Sequence, residues 1–176
     1  DAPVGTTGRE LGSLSVGLIG MSHTATLLAT LLAAFRTRVV GYDPVVHPSD
    51  AGWSQWGIEP VSLRDMLERV DAVCVQLGAF SRYRGLLGER YLPHCRQGQV
   101  WVSVSSSRLF DTQTLAEQMR NGRIQSAWLD AVDGEDMAPS SPLQGLDGLI
   151  VTPRLAGNTQ EAQVRRAWLV ARQTHE

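Results

Sequence analysis

Runs of apolar, β-branched residues alternate along this chain with segments whose apolar positions recur at helical spacing. Strands are predicted at "SVGLIG" (15–20), "RVVGYD" (38–43), "AVCVQL" (72–77), "QVWVSV" (99–104), "SAWLD" (126–130) and "LIVT" (149–152). Several are near-continuous apolar runs, the pattern of parallel strands covered on both faces. Between the first two, Leu28, Leu31, Leu32 and Phe35 recur at i, i+3, i+4, i+7 and predict a helix stripe. "SLRDMLERV" (62–70) opens on a serine N-cap with Asp65 three residues on, and "DTQTLAEQMRNG" (111–122) runs from Asp111 to a stop at Gly122. "VTPRLAGNT" (151–159) leads into a last helix, and "GEDMAPSSPLQGLDG" (134–148) reads as a long, turn-rich loop. Strand and helix in strict alternation predict a single α/β domain, a doubly wound parallel sheet flanked by helices, with no internal repeat or linker.

Composition narrows the function classes. The 176 residues are 43% hydrophobic and 19% charged, enough to bury a core. A net charge of −2 argues against a nucleic-acid or anionic-membrane partner, and "ATLLATLLAAF" (25–35) is too short to span a bilayer. Two cysteines, Cys74 and Cys95, are too few for a disulfide framework or a thiolate metal cage, so no metal is expected. No signal-peptide pattern opens the chain, and a reduced, cytoplasmic protein is the expectation. All 16 basic residues are arginine, which rules out lysine chemistry such as a Schiff base or a Walker lysine. The chain begins at Asp1 without methionine, as a fragment or processed product would.

The first chemical candidate is "GMSHTA" (20–25), between the first strand and the apolar helix. A dinucleotide-binding domain carries G-x-G-x-x-G here, with pyrophosphate against the helix N-terminus. Gly20 remains and Ala25 is an accepted third member, but Ser22 replaces the middle glycine. The next strand ends in Asp43, 23 positions after Gly20, close to the spacing of roughly 20 for an acid that accepts from the adenosine ribose hydroxyls. Such a carboxylate favours NAD over NADP. "YDP" also reads as a plain strand end with a proline turn.

Across residues 8–170 the chain resembles the nucleotide-binding domain of the D-isomer-specific 2-hydroxyacid dehydrogenases. The resemblance rests on "GRELGSLSVGLIG" (8–20), "VVGYDP" (39–44), "RGLLGERYL" (84–92), "LFDTQTLAEQMRNGRI" (109–124), "WLDAVDGED" (128–136), "SPLQGLDGLIVTP" (141–153) and "LAGNT" (155–159), in the family's order. It implies a Rossmann-type fold over 1–176, NAD as cofactor, a 2-oxo or 2-hydroxy acid as substrate, a homodimer, and a substrate domain that is essentially absent from this chain. The cofactor positions it implies are Gly20, Ser22, His23, Thr24, Asp43, Gln76, Leu77, Gly78, Arg84, Val104, Ser105, Asp130 and Gly157. Gln76, Gly78 and Phe80 depart from the family's histidine, proline and threonine.

The resemblance also implies a catalytic arginine, glutamate and histidine. Aligned through "LFD", the arginine position falls on Ser106, with Arg108 two residues on. The glutamate position falls on Glu135 and the histidine position on Arg154. Arginine stays protonated and cannot act as a base, so ordinary catalysis is expected to be impaired. Arg154 would pair with Glu135 or bind a substrate carboxylate. None of His23, His47, His94 and His175 falls on a catalytic position.

Plain packing accounts exist for several candidates. Ser105, Ser106 and Ser107 either offer hydroxyls to an anion or satisfy a turn. Glu135 without a histidine to orient can be a solvated loop carboxylate. Trp53 and Trp56 either border the adenine pocket or a partner surface, or pack. Trp101 and Trp128 are read as core residues. Three functions follow: an oxidoreductase domain, a catalytically silent NAD-binding relative, and a dimerisation or interaction module that has lost the cofactor.

Overall fold

The computed structural model describes residues 8–173, so His175 lies outside the described residues. Seven parallel strands form one sheet: β1 (Ser15–Ile19), β2 (Arg38–Tyr42), β3 (Glu59–Pro60), β4 (Ala72–Val75), β5 (Gln99–Ser106), β6 (Ile124–Ala131) and β7 (Leu149–Val151). Their spatial order is β3-β2-β1-β4-β5-β6-β7. The chain builds one edge first and then returns past β1 to build the other, so the order reverses between β1 and β4. Ligands of open α/β sheets bind outside the carboxyl ends of the strands at that switch point. Among the described residues five α-helices connect or follow the strands: α1 (His23–Ala34), α2 (Gly52–Gln55), α3 (Leu63–Arg69), α4 (Thr112–Arg120) and α5 (Gln160–Gln173).

Each predicted strand and helix forms, with ends shifted by at most two residues. β3 and α2 are the additions, and at two and four residues they are too short to leave a periodic signature. The caps follow the sequence: Ser62 Oγ accepts from the Asp65 amide and donates to its carboxylate, and Asp111 accepts from the Thr114 amide at 2.8 Å.

The core falls into two clusters. The larger packs α3 (Leu63, Met66, Leu67) and α4 (Leu115, Met119) onto β4, β5 and β6. The smaller packs α1 (Ala29, Leu32) and Trp53 against Val16 and Leu18 of β1.

Three expectations are corrected here. The strands are not all covered on both faces: β5 alternates, with Trp101 buried while Val100, Val102 and Val104 are exposed. Trp128 is likewise no core residue. It is 48% exposed on β6, its indole N–H reaching the Thr152 hydroxyl at 3.3 Å. The physical reason is topological, because α1 and α2 cover only the β1–β2 side of that face. The α1 stripe is also displaced. The helix buries Ala25, Ala29 and Leu32, and leaves Leu31 and Phe35 exposed.

Candidate functional site

The first turn of the site is built on Gly20. Its φ is +90°, and an added Cβ would stand 2.6 Å from the Leu77 backbone. Only glycine lets the end of β1 pass this close to the segment that leaves β4. Its amide donates to the Tyr42 carbonyl at 2.8 Å. The neighbouring Met21 amide donates to Asp43 Oδ2 at 2.7 Å, while Oδ1 accepts from the Val45 and Val46 amides. Asp43 therefore braces the turn after β1 against the end of β2, and its Oδ2, with one donor, keeps a free lone pair.

Ser22 caps α1, its hydroxyl accepting from the Ala25 amide at 3.2 Å and meeting the Thr24 hydroxyl at 2.9 Å. Its φ is −67°, so the position does not require glycine. The hydroxyl takes one helix-terminal donor from an incoming phosphate, while the amides at the very start of a helix have no partner within it.

An open cleft of about 830 Å³ lies beyond this turn. Ser22, Thr24, Gln76, Leu77, Gly78, Val104, Ser105, Ser106, Arg108, Asp130, Arg154 and Gly157 all line it. A second cavity of about 440 Å³ lies on the other side of the turn, around Tyr42, Asp43, Val45, His47 and Trp53. The two cavities together, at the switch point of the sheet, give room for an extended dinucleotide. Ser22 lines the cleft while its hydroxyl occupies the Ala25 amide. His23, Arg84 and Glu135 are exposed and stand outside the lining of the cleft.

Within the cleft, Asp130 holds the loop after β7. Its carboxylate accepts from the Thr152 hydroxyl and from the Leu155 and Ala156 amides at 2.8 and 3.0 Å. Burial pushes its pKa up, but these three bonds outweigh that and hold it below the ordinary carboxylate value. The same loop forces Arg154 into the left-handed region at φ 57°, with its amide donating to the Asp130 and Thr152 carbonyls.

The three serines each have a local partner. Ser105 Oγ donates to the Leu77 carbonyl at 2.8 Å, tying β5 to the segment after β4. Ser106 accepts from the Arg108 amide and lies 3.5 Å from Asp133. Ser107 Oγ donates to Asp136 at 2.6 Å and accepts from the Asp133 amide at 3.0 Å.

The expected Arg154–Glu135 pair does not form. Arg154 Nη2 instead lies 3.8 Å from Asp133 Oδ1, and Arg108 Nε binds Asp133 Oδ2 at 2.7 Å. Glu135 sits on a single helical turn, Gly134–Met137, that carries it away from the cleft. Asp133 was missed by sequence reasoning. Its only sequence signal is an extra acid in "VDGED", two positions before the one the resemblance selects. Trp53 and Trp56 pack edge-to-face with centroids 5.6 Å apart, and Trp53 also lines the Asp43 cavity. Among the described residues no three histidine, cysteine or acidic groups could hold a metal ion, and no helix is long and apolar enough to cross a membrane.

Comparison with known proteins agrees with this geometry. The family model for the D-isomer specific 2-hydroxyacid dehydrogenase NAD binding domain matches residues 2–156. A D-3-phosphoglycerate dehydrogenase of Mycobacterium leprae is 35% identical over 165 residues, 94% of this chain and 31% of that protein. An (S)-sulfolactate dehydrogenase of Chromohalobacter salexigens is 30% identical, over 92% of this chain and 52% of that protein. The chain thus spans about a third to a half of these relatives. The fold matches that of an Aquifex aeolicus D-lactate dehydrogenase complexed with NAD and lactic acid, with a TM-score of 0.82 at 20% identity, over 96% of this chain and 54% of that one. It also matches an NAD-complexed D-isomer specific 2-hydroxyacid dehydrogenase of Lactobacillus delbrueckii, with a TM-score of 0.76 at 22% identity, over 91% of this chain and 52% of that one. A glycine turn too tight for any side chain, an acid ending the second strand and a cleft at the switch point accompany a family match over most of the sequence, and the chain belongs to the D-isomer-specific 2-hydroxyacid dehydrogenases as their NAD-binding domain.

Proposed function

We propose that this domain binds NAD(H) in a protein whose histidine-dependent dehydrogenase chemistry is impaired. One observation carries the reading. Where a proton carrier is required, Arg154 is a permanent cation within ion-pair distance of Asp133, and Glu135 is turned away from it. Bound NAD would supply or accept a hydride. The residues of this chain would hold it: Asp43 at the ribose, the Gly20 turn at the pyrophosphate, and Gln76, Val104 and Gly157 around the far end. The described residues lining the cleft include no histidine, the side chain that usually exchanges the hydroxyl proton. Arg108 reaches the cleft from the turn after β5 and can take the carboxylate-binding role that Ser106 cannot. The substrate of the whole protein, by family a 2-oxo or 2-hydroxy acid, would meet this cleft from a separate substrate domain. A homodimer in the cytoplasm completes the proposal.

An NADH titration read through tryptophan fluorescence tests it, with Trp53 beside the Asp43 cavity as an internal reporter. Saturable quenching with energy transfer in the micromolar range is expected. Absence of binding at millimolar NADH would overturn the reading in favour of a pure interaction module. Ser22 capping of α1 is the observation that favours that second reading, and recovery of NADH binding by Ser22→Gly would assign the loss to this one side chain.

A further inference from the structure

The turn between β1 and α1 uses many of its own donors. Of the six amides from Gly20 to Ala25, that of Gly20 goes to the Tyr42 carbonyl, that of Met21 to Asp43 and that of Ala25 to Ser22 Oγ. The Ser22 and Thr24 hydroxyls are bonded to each other at 2.9 Å. His23 is the only basic residue of the turn, and it stands outside the lining of the cleft. An anionic pyrophosphate held here would draw its counter-charge from another element.

Three arginines line the same cleft, Arg108, Arg154 and Arg166. The first two face Asp133, at 2.7 and 3.8 Å. The other acid of the cleft, Asp130, is committed to the Thr152 hydroxyl and to the Leu155 and Ala156 amides. Among the described residues Arg166 makes no ion pair, which leaves it as the unneutralised cation of the cleft.

The pattern of α5 accounts for where Arg166 sits. From Gln160 to Arg172 only Ala162 is half-buried, and every other position is exposed. Residues four apart share one face of a helix, so Arg166 follows Ala162 on the side turned towards the domain. A separate groove on the helix holds Arg165, Trp168, Leu169 and Arg172, at i, i+3, i+4 and i+7. The start of α5 is anchored to the cleft. Asp130 holds Leu155 and Ala156, the Asn158 amide closes onto the Leu155 carbonyl at 3.1 Å, and Thr159 Oγ1 accepts from the Ala162 amide at 3.1 Å. A guanidinium carries five N–H donors in a planar fork and stays charged, which suits it to bridging phosphoryl oxygens.

We propose that Arg166 is a pyrophosphate ligand of the bound dinucleotide, supplied by the last helix in place of donors that the β1–α1 turn uses within itself. The inference rests on the NAD-binding reading above and adds to it a residue from the β7 side of the sheet. No bond is made or broken.

Fluorescence titration with NADH and calorimetric titration with ADP-ribose, which keeps the pyrophosphate and lacks the nicotinamide, test the assignment. Arg166→Gln should weaken both ligands by about tenfold or more and flatten the salt dependence of their binding. Arg166→Lys, which keeps the charge without the fork, should lose less. Arg165→Gln removes the same charge one position away, in the separate groove, and should bind both ligands as the parent protein does. Arg166 is exposed and makes no ion pair, so its variants should melt with the parent. A fall in melting temperature that tracks the lost affinity would make its role structural and overturn the proposal. Unchanged affinity in Arg166→Gln, an equal loss in Arg165→Gln, or a loss confined to NADH would overturn the pyrophosphate assignment and leave the NAD-binding reading in place. A parent protein that binds neither ligand at millimolar concentration would overturn both.

Discussion

At the scale of single residues, identical side chains have unlike duties according to where the backbone holds them. Ser105, Ser106 and Ser107 are consecutive, yet one ties β5 to the segment after β4, one caps the next turn, and one fastens the loop after β6. Gly20 is the opposite case, a position where one residue type alone fits. Gly20→Ala must place a Cβ at 2.6 Å from backbone atoms of Leu77 while holding φ at +90°. Backbone cannot give way as a flexible side chain can, so a destabilisation of about 2–4 kcal/mol is expected. Urea denaturation measures it, and a loss below about 1 kcal/mol would show that the turn relaxes around the methyl group.

Among elements, the amino-terminal ends of β1 and β4 are locked by a residue that the motifs do not touch. Asp71 accepts from the Ser15 amide and hydroxyl, both at 2.8 Å, and pairs with Arg9 at 2.6 Å and Arg96 at 2.8 Å. Burial alone would raise its pKa, but the Ser15 and Arg9 bonds lower it to about 2, from an ordinary value of 3.8. Between those two values the unfolded chain binds more protons than the folded one. The stabilisation from Asp71 is therefore complete above about pH 4 and is lost as the pH falls through about 2. Asp71→Asn should melt at a lower temperature than the parent protein at pH 7. The gap should close as both are acidified from about pH 4 to 2. A gap that stays constant over that window would mean that the carboxylate charge is not what holds the two strand ends.

For the whole molecule, the sheet is covered unevenly. Val100, Val102, Val104, Trp128 and Ile150 lie exposed across β5, β6 and β7, and α5 presents Val164, Trp168 and Leu169 to solvent. Exposed apolar side chains grouped on neighbouring strands mark an interaction face, and the homodimer proposed above would use it. Sedimentation should then show a concentration-dependent dimer that Trp128→Glu shifts towards monomer with the melting temperature kept. A monomer across the whole concentration range would remove the homodimer from the proposal.

What the sequence determined by itself was whatever depends on spacing along the chain. Strand and helix order, the caps at Ser62 and Asp111, the Gly20 turn and the distance from Gly20 to Asp43 are local or nearly so, and periodicity and motif spacing carry them. The resemblance extended this to the cofactor cleft, because its lining comes from the ends of consecutive β-α units in a fixed order. Tertiary structure alone decided which charges meet. Arg154 and Asp133 are brought together by the loops after β7 and β6, and a shift of two positions along a surface turn separates Asp133, in the cleft, from Glu135, in solvent. The same holds for Trp128 and the valines of β5. Alternation identifies the two faces of a strand, but whether a second layer covers a face depends on where the crossover helices fall, which no local pattern encodes.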